Sequence, residues 1–158
     1  MNTPDLTFTL LVDQSPEEAF NAITNVPGWW SENIERNTKQ LNDEFIYRYK
    51  DMHYSKQRLV EMVPNQKVVW LVTESQLYFL ENKDEWTGTK ISFDISRQDD
   101  KTQVLFTHIG LTPGVECYNA CLKGWSQYVQ HSLLHLITTG KGQPDKKQSE
   151  IKPEAINN

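Results

Sequence analysis

No apolar stretch of the sequence is long enough to cross a membrane. The longest apolar run, residues 68–72, has five residues, whereas a transmembrane helix needs about 20. Residues 1–12 also lack the basic segment and the cleavage site of a secretory signal peptide. The chain has only two cysteines, and without a secretory signal these favour a reducing environment and no disulfide framework. We therefore expect a cytoplasmic protein that does not bind membranes.

Positive charge is scarce as well, because 16 Lys and Arg stand against 21 Asp and Glu, for a formal net charge of −5. Surfaces that bind nucleic acid or anionic membranes are basic, so we expect no nucleic-acid partner. The sequence also lacks the GxSxG motif of many hydrolases, a glycine-rich phosphate loop and the HExxH motif of zinc proteases. Neither charge nor motif therefore indicates a cofactor.

Two pairs of metal-ligand residues are nevertheless spaced one helical turn apart: Cys117 with Cys121, and His131 with His135. The pairs are centred 14 residues apart on what we predict to be one helix. That separation is roughly 21 Å at the α-helical rise, so the pairs cannot share an ion. We expect no metal, and we expect both histidines on a solvated helix face. A disulfide between the cysteines is disfavoured, because an intact helix orients their side chains poorly for one.

What the sequence does contain is aromatic residues, with five Trp, six Tyr and six Phe spread along 158 residues. That length corresponds to one ordinary domain, for which the rings can supply a core. The first predicted strand places four apolar residues on one face: Leu6, Phe8, Leu10 and Val12. A helix start follows at Ser15, with Pro16 at the first helical position and Glu18 completing a capping box.

Most of the chain between residues 32 and 110 has the period-two alternation of strands. The clearest pair is a hairpin in which residues 91–95 and 104–108 flank a polar turn at residues 98–101. Residues 53–63 predict a further strand, whose alternation is ambiguous at Leu59 and Val60.

A long amphipathic helix is predicted within residues 115–139, with Gly140 as its left-handed C-terminal cap. Its bulky apolar stripe comprises Tyr118, Leu122, Trp125, Val129, Leu133 and Leu136. A stripe of smaller residues runs beside it: Cys117, Cys121, Gly124, Tyr128 and Ser132. The order of elements predicts an α+β fold, in which a curved antiparallel sheet wraps around the long C-terminal helix.

We expect this domain to span residues 1–142 and residues 143–158 to form a disordered C-terminal tail. The stretch from Gly140 onward has two Pro, no aromatic residue and almost no apolar content. Such a composition cannot bury enough apolar surface to offset the entropy of ordering the chain.

The sequence FTHIGLTPGVECYNACLKGWSQYVQHSLLHLITTGKG, residues 106–142, resembles the C-terminal signature of the activator of heat-shock-protein-90 ATPase homologue family, in the START-like superfamily. Shorter pieces support the resemblance: SPEEAFNAIT, PGWW, VPNQKVVWLV and WTGTKISFDI. The resemblance covers roughly residues 6–142. It implies a helix-grip fold with a cavity between the sheet and the final helix.

Aromatic residues on the predicted inner surface are the strongest functional feature, because clefts for apolar ligands are lined by aromatic side chains with a few polar groups. The alternative is that these rings simply fill the core. The candidate ligand-binding residues are Tyr47, Trp70, Phe93, Phe106, His108, Cys117, Cys121, Trp125 and Tyr128. Our first hypothesis is a domain that binds a small apolar or amphipathic molecule.

Two other functions stay open at this stage. One is an enzyme of the cyclase or hydratase type, with His108 and Glu116 as acid and base in the cavity. The structural alternative is that His108 donates a hydrogen bond to a backbone carbonyl and that Glu116 stabilises the positive N-terminus of the helix. The other is a co-chaperone or protein-interaction domain. The adjacent Trp29 and Trp30 would then form a gate or a partner-binding patch, or else one ring would cap the sheet and the other lie half-exposed.

Overall fold

A computed structural model gives the structure of the protein and describes residues 5–146. Within these residues seven strands form one antiparallel sheet, in the order β1-β7-β6-β5-β4-β3-β2. The strands are β1 (Leu6–Val12), β2 (Glu35–Arg36), β3 (Glu44–Tyr49), β4 (His53–Val63), β5 (Lys67–Leu77), β6 (Lys90–Gln98) and β7 (Lys101–Ile109). The α+β helix-grip prediction is confirmed, because this curved sheet packs against a long C-terminal helix.

The first helix, α1 (Pro16–Thr24), begins as its sequence predicts. The Ser15 side chain accepts a hydrogen bond from the backbone N–H of Glu18, and the Glu18 carboxylate accepts one from the backbone N–H of Ser15. This reciprocal pair satisfies two donors that a helix start otherwise leaves free. A single 3₁₀ turn (Val26–Gly28) follows and leads the chain into the core.

The predicted hairpin is also present, with Phe93 opposite Phe106 in the β6–β7 pairing. The ambiguity at Leu59 and Val60 has a physical cause in the pairing of β4 with β5. Leu59 lies opposite Trp70 and Glu61 opposite Val69, so the register shifts at Val60. Such a bulge interrupts the alternation of the two faces.

The C-terminal helix runs from Tyr118 to Thr139 in three joined segments: α2 (Tyr118–Trp125), a π-helical segment (Ser126–Leu133) and α3 (Leu134–Thr139). We call these together the final helix. Gly140 ends it in the left-handed conformation, with φ of 84°, as predicted.

The π-helical segment changes which side chains the final helix buries. Starting from Cys117 just before the helix, the buried apolar residues recur at steps of four: Cys117, Cys121, Trp125, Val129, Leu133 and Ile137. Such a row drifts around a helix of 3.6 residues per turn, and the wider π turn compensates for the drift. Ile137 is therefore buried where the sequence analysis expected Leu136, which is only half-buried.

Residues 141–146 pack along the body of the protein. The backbone of Asp145 bonds to that of Trp30 and Glu32, and the N–H of Gln143 donates to the Ser132 hydroxyl. The domain therefore extends beyond the boundary expected at residue 142, because residues 143–146 are docked as well. Backbone and polar groups hold this segment. We call residues 141–146 the C-terminal strap. The remainder of the expected tail, residues 147–158, lies outside the described residues.

Cys117 and Cys121 form a disulfide, with Cα atoms 5.7 Å apart, so the expectation of two unpaired cysteines is wrong. The physical reason is that Cys117 does not lie inside the helix. It is the residue before α2, with φ and ψ of −83° and 0°, so only Cys121 has helical residues on both sides. The Cα separation is within the usual range for a disulfide.

Trp29 and Trp30 are both buried, with 0% and 1% of their surface exposed. Trp30 stacks on Trp70 at a ring-centroid distance of 5.7 Å and on Tyr47 at 4.3 Å. Neither the exposed patch nor the half-exposed ring expected from the sequence is found.

No helix among the described residues is long and apolar enough to cross a membrane.

Candidate functional site

A cavity of about 250 Å³ lies between the sheet and the final helix. Aromatic rings form most of its wall: Trp30, Tyr47, Tyr49, Phe79, Trp86, Trp125 and Tyr128. Trp86 and Trp125 stack almost parallel, with centroids 5.7 Å apart and planes inclined by 9°. Met52 and Phe79 are 45% and 42% exposed, which places apolar side chains where the cavity meets solvent.

Beside Trp125 and Tyr128, the final helix contributes three small residues to this wall: Ala120, Cys121 and Gly124. A Cβ atom built at Gly124 would have the Tyr128 ring as its nearest neighbour, at an ordinary contact distance of 3.9 Å. No close approach of backbone therefore requires glycine at this position. The missing side chain at Gly124 leaves space in the cavity, which explains a glycine inside a helix that alanine would stabilise.

His53 contributes the imidazole of the cavity wall. Its ring meets the rings of Tyr47 and Trp86 edge to face, with centroids 4.8 Å and 4.6 Å away. Its Nε2 lies 3.0 Å from the hydroxyl of Ser55. Burial lowers the pKa of His53 to about 3, so the imidazole is uncharged at neutral pH.

Tyr47, Tyr128 and Asp145 form a hydrogen-bonded group at the end of the cavity nearest the strap. Both hydroxyls donate to the same oxygen of Asp145, from 3.0 Å for Tyr47 and 2.7 Å for Tyr128. The two hydroxyl oxygens are 3.1 Å apart. The strap thereby fixes the orientation of two rings of the cavity wall.

The ionisation of this group follows from its burial. Burial raises the pKa of the Asp145 carboxyl above its ordinary value, and the two phenol hydrogen bonds oppose that change. Burial likewise raises the pKa of both phenols, and for Tyr47 the neighbouring Tyr128 and Asp145 add to the effect. Both tyrosines therefore stay protonated at neutral pH and act as hydrogen-bond donors.

The structure brings some of the predicted ligand-binding residues together and places others elsewhere. Tyr47, Cys121, Trp125 and Tyr128 line the cavity. The other five candidates are each 0% exposed and lie in the packed core instead: Trp70, Phe93, Phe106, His108 and Cys117. For these five, the core-filling alternative describes the observed packing.

His108 is the centre of a linear chain of hydrogen bonds that runs from Trp125 to Trp86. Its Nδ1 accepts from the indole N–H of Trp125 at 3.0 Å, so its proton is on Nε2, which donates to the Thr89 hydroxyl at 2.9 Å. The Thr89 hydroxyl donates in turn to the Trp86 carbonyl at 2.6 Å. Both ring nitrogens are thus occupied, and burial lowers the pKa of His108 to about 3. The chain fixes the stacked Trp86–Trp125 pair of the cavity wall.

Glu116 lies away from His108 and outside the cavity wall. Its carboxylate accepts hydrogen bonds from the backbone N–H groups of Glu81 and Asn82. The carboxylate of Glu85 accepts from the backbone N–H groups of Glu116 and Cys117. The two glutamates thus join the loop after β5 to the start of the final helix. The structure does not bring His108 and Glu116 together as an acid–base pair.

The other potential ligands of a metal are dispersed. His131 and His135 are exposed on the final helix, as expected of a solvated face. Within residues 5–146, no group of three or more His, Cys, Asp or Glu is placed to hold a metal ion.

A wider depression of about 730 Å³ beside the final helix includes Asn119, Lys123 and Gln127, and it lacks the aromatic enclosure of the cavity.

Sequence reasoning missed several residues of the cavity, above all Trp30, His53 and Trp86. Trp86 lies in the segment 78–88 that follows β5, where no periodicity is present. His53 is the first residue of β4, and alternation along that strand was the one available signal. Continuing the inner face from Leu59 back through Gln57 and Ser55 reaches His53.

The sequence matches no family model and no curated protein. Solved structures nevertheless share its helix-grip fold. The solution structure of the Aha1 dimer from Colwellia psychrerythraea matches with a TM-score of 0.70 and 22% identity, covering 87% of this chain and 98% of that chain. The protein SSP2350 from Staphylococcus saprophyticus matches with a TM-score of 0.64 and 16% identity, over 89% and 96% of the two chains.

A third structure is the crystal structure of DynU16, a protein in the dynemicin biosynthetic locus. It matches with a TM-score of 0.65 and 13% identity, and the match covers 93% of this chain but 52% of DynU16. At such identities these likenesses establish the fold alone. They confirm the helix-grip fold that the resemblance to the activator of heat-shock-protein-90 ATPase homologue family implied.

Proposed function

We propose that the protein binds a small, uncharged and largely apolar molecule in the cavity between its sheet and its final helix. The observation that carries the proposal is the wall itself, in which aromatic rings surround a volume of about 250 Å³. Apolar enclosure with a few polar groups is the usual chemistry of a small-molecule site. The position of the cavity supports the proposal, because strand residues such as Tyr47 and helix residues such as Trp125 both line it.

The charge of the wall narrows the class of ligand. None of the described residues that line the cavity is Asp, Glu, Lys or Arg, and His53 is uncharged at neutral pH because burial lowers its pKa to about 3. A carboxylate or an ammonium group entering this cavity would lose its hydration without gaining an opposite charge. A neutral ligand avoids that cost.

The test is an NMR titration of ¹⁵N-labelled protein with naphthalene, followed through the indole N–H signals of its five tryptophans. We expect saturable shifts at Trp86 and Trp125, whose rings line the cavity. We expect a smaller shift at Trp29, which donates to the Ile23 carbonyl in the core. Unsaturable or uniform shifts would contradict the proposal.

The variant Gly124→Leu removes the space without removing a contact. The nearest atom to a Cβ at Gly124 is 3.9 Å away, and leucine favours a helix over glycine by about 1 kcal/mol. The fold is therefore retained while the side chain occupies the cavity. His135→Leu is the matched control, because it adds the same side chain at an exposed position of the same helix. Only the first variant is expected to abolish the saturable shifts.

A further inference from the structure

Three polar side chains follow one another along the inner face of β4: His53, Ser55 and Gln57. We call them the polar strip. Ser55 and Gln57 are both 0% exposed, and Leu59 continues the same face into the apolar core. The amide N–H of Gln57 donates to the Ser55 hydroxyl, which lies 3.0 Å from Nε2 of His53. Burying a polar group costs free energy of folding unless the group is hydrogen-bonded. The presence of three polar side chains on this inner face therefore calls for an explanation.

Two atoms of the polar strip have no hydrogen-bond partner among the described residues. Oε1 of Gln57 is buried and has no hydrogen-bond partner in the described part of the chain. At the other end of the strip, His53 uses Nε2 for Ser55, and the structure of residues 5–146 shows no hydrogen bond to its Nδ1. His53 lines the cavity, so Nδ1 is the ring nitrogen left for a molecule bound there.

The imidazole is also fixed in place. Its edge-to-face contacts with Tyr47 and Trp86 hold it on two sides, and the Ser55 hydrogen bond sets the rotation of the ring. A neutral imidazole carries one N–H donor and one acceptor nitrogen. A ligand hydroxyl can pair with Nδ1 in either tautomer, because a hydroxyl both donates and accepts.

The size of the cavity limits what accompanies that hydroxyl. A volume of about 250 Å³ equals that of about eight water molecules in the liquid. This space accommodates one or two aromatic rings. The aromatic rings that line it, with Met52 and Phe79 at its opening, favour a flat apolar partner.

We propose that His53 determines specificity in this cavity, by hydrogen-bonding through Nδ1 to a neutral hydroxyl or carbonyl group carried on a one- or two-ring aromatic molecule. This inference rests on the proposed function, and it adds the ligand's polar group and the residue that recognises it. The aromatic and apolar lining of the cavity binds the ring, and the polar strip selects for the oxygen substituent. Unsubstituted hydrocarbons bind at the same place but leave Nδ1 unpaired.

The test compares naphthalene with 2-naphthol at neutral pH, in the wild type and in His53→Phe. The wild type is expected to bind 2-naphthol five- to tenfold more tightly than naphthalene, the gain of one hydrogen bond. In His53→Phe the preference is expected to disappear while naphthalene binding is retained. His53→Gln, which keeps a hydrogen-bonding group, is expected to restore part of the preference.

A second readout needs no variant and therefore does not depend on His53→Phe folding. The imidazole ¹⁵N signal of His53 Nδ1 in the wild type is expected to shift on binding 2-naphthol and to change much less with naphthalene. Equal affinity for the two probes, or equal imidazole shifts, overturns the role of His53 while leaving the proposed function in place. If neither probe binds saturably, the proposed function itself fails, and this inference with it.

Discussion

The hydroxyl of Tyr128 donates a 2.7 Å hydrogen bond to Asp145, which joins the middle of the final helix to a residue beyond its end. Asp145 also accepts from Tyr47 of β3. One carboxylate thus connects the C-terminal strap, the final helix and the sheet at one end of the aromatic cavity. The strap is therefore a structural part of the candidate site.

Tyr128→Phe should lower the free energy of unfolding by about 1–2 kcal/mol, because the lost hydroxyl donates to a partly buried carboxylate. Urea unfolding measures the change. Tyr118→Phe is the matched control on the same helix, since the structure shows no hydrogen bond from the Tyr118 hydroxyl within residues 5–146. Equal effects of the two substitutions would show that the Asp145 contact contributes nothing.

Gly142→Ala should detach the strap. A Cβ atom at Gly142 would collide with the backbone carbonyl oxygen of Gly28, and it would lie 3.1 Å from that of Ser132. Neither backbone can yield as a flexible side chain does. We expect a lower melting temperature and faster hydrogen exchange at the backbone N–H of Gln143. Gly114→Ala, where the nearest atom to the added Cβ is 4.0 Å away, should change neither, and unaltered exchange in Gly142→Ala would refute the packing of the strap.

Purified protein unfolded without reductant should expose no thiols, and it should expose two after reduction, as counted with Ellman's reagent. The loop closed by Cys117 and Cys121 is short, so its chain-entropy contribution is about 2 kcal/mol. Reduction, or the double substitution of both cysteines by serine, should lower stability by that amount. Two reactive thiols in the untreated protein would contradict the disulfide.

Stability should fall on acidification, with His108 as a main cause. Burial, aided by the proximity of His53, lowers the pKa of His108 from 6.5 to about 3. Between these values the unfolded chain binds a proton that the folded protein does not, so the free energy of unfolding decreases as the pH falls. From pH 7 to pH 5 the loss is about 2 kcal/mol.

The variant His108→Gln isolates this contribution. It should be less stable than the wild type at pH 7, because the Trp125 indole loses its imidazole partner. Its free energy of unfolding should nevertheless drop about 2 kcal/mol less between pH 7 and pH 5. His135→Gln, at an exposed position of the final helix, is the matched control substitution. Parallel pH curves for His108→Gln and the wild type would rule out the buried neutral imidazole.

The parts of the fold that local chemistry determines could be predicted from the sequence. The Ser15–Glu18 capping box, the Gly140 cap and the β6–β7 hairpin each depend on residues close in the chain. Their energetics are complete within a few residues, so no knowledge of distant packing was needed.

The strap and the disulfide could not be predicted, because their partners or geometry lie outside such local patterns. Asp145 is fixed by Trp30 and Tyr47, which are distant in sequence, and polar composition alone predicted a disordered segment. Cys117, which pairs with Cys121, is the residue just before the helix, and helix boundaries are the least reliable part of a sequence-based prediction.

The candidate site shows the same division. Trp125 and Tyr128 follow from the pattern of the final helix, and both line the cavity. Phe93 and Phe106 follow equally well from strand alternation, yet they pack against each other at 5.3 Å in the core. Alternation identifies the inner face of a sheet, but it does not tell which part of that face the helix covers and which part it leaves open.

A crystal structure of the complex with 2-naphthol is the decisive test of ligand binding in the cavity. We expect the naphthol ring between the sheet and the final helix, in contact with Trp30 and Trp125. We also expect the naphthol oxygen within hydrogen-bond distance of Nδ1 of His53. Naphthol bound only on the outer surface, with the tryptophan rings closed over the cavity, would contradict binding between the sheet and the helix.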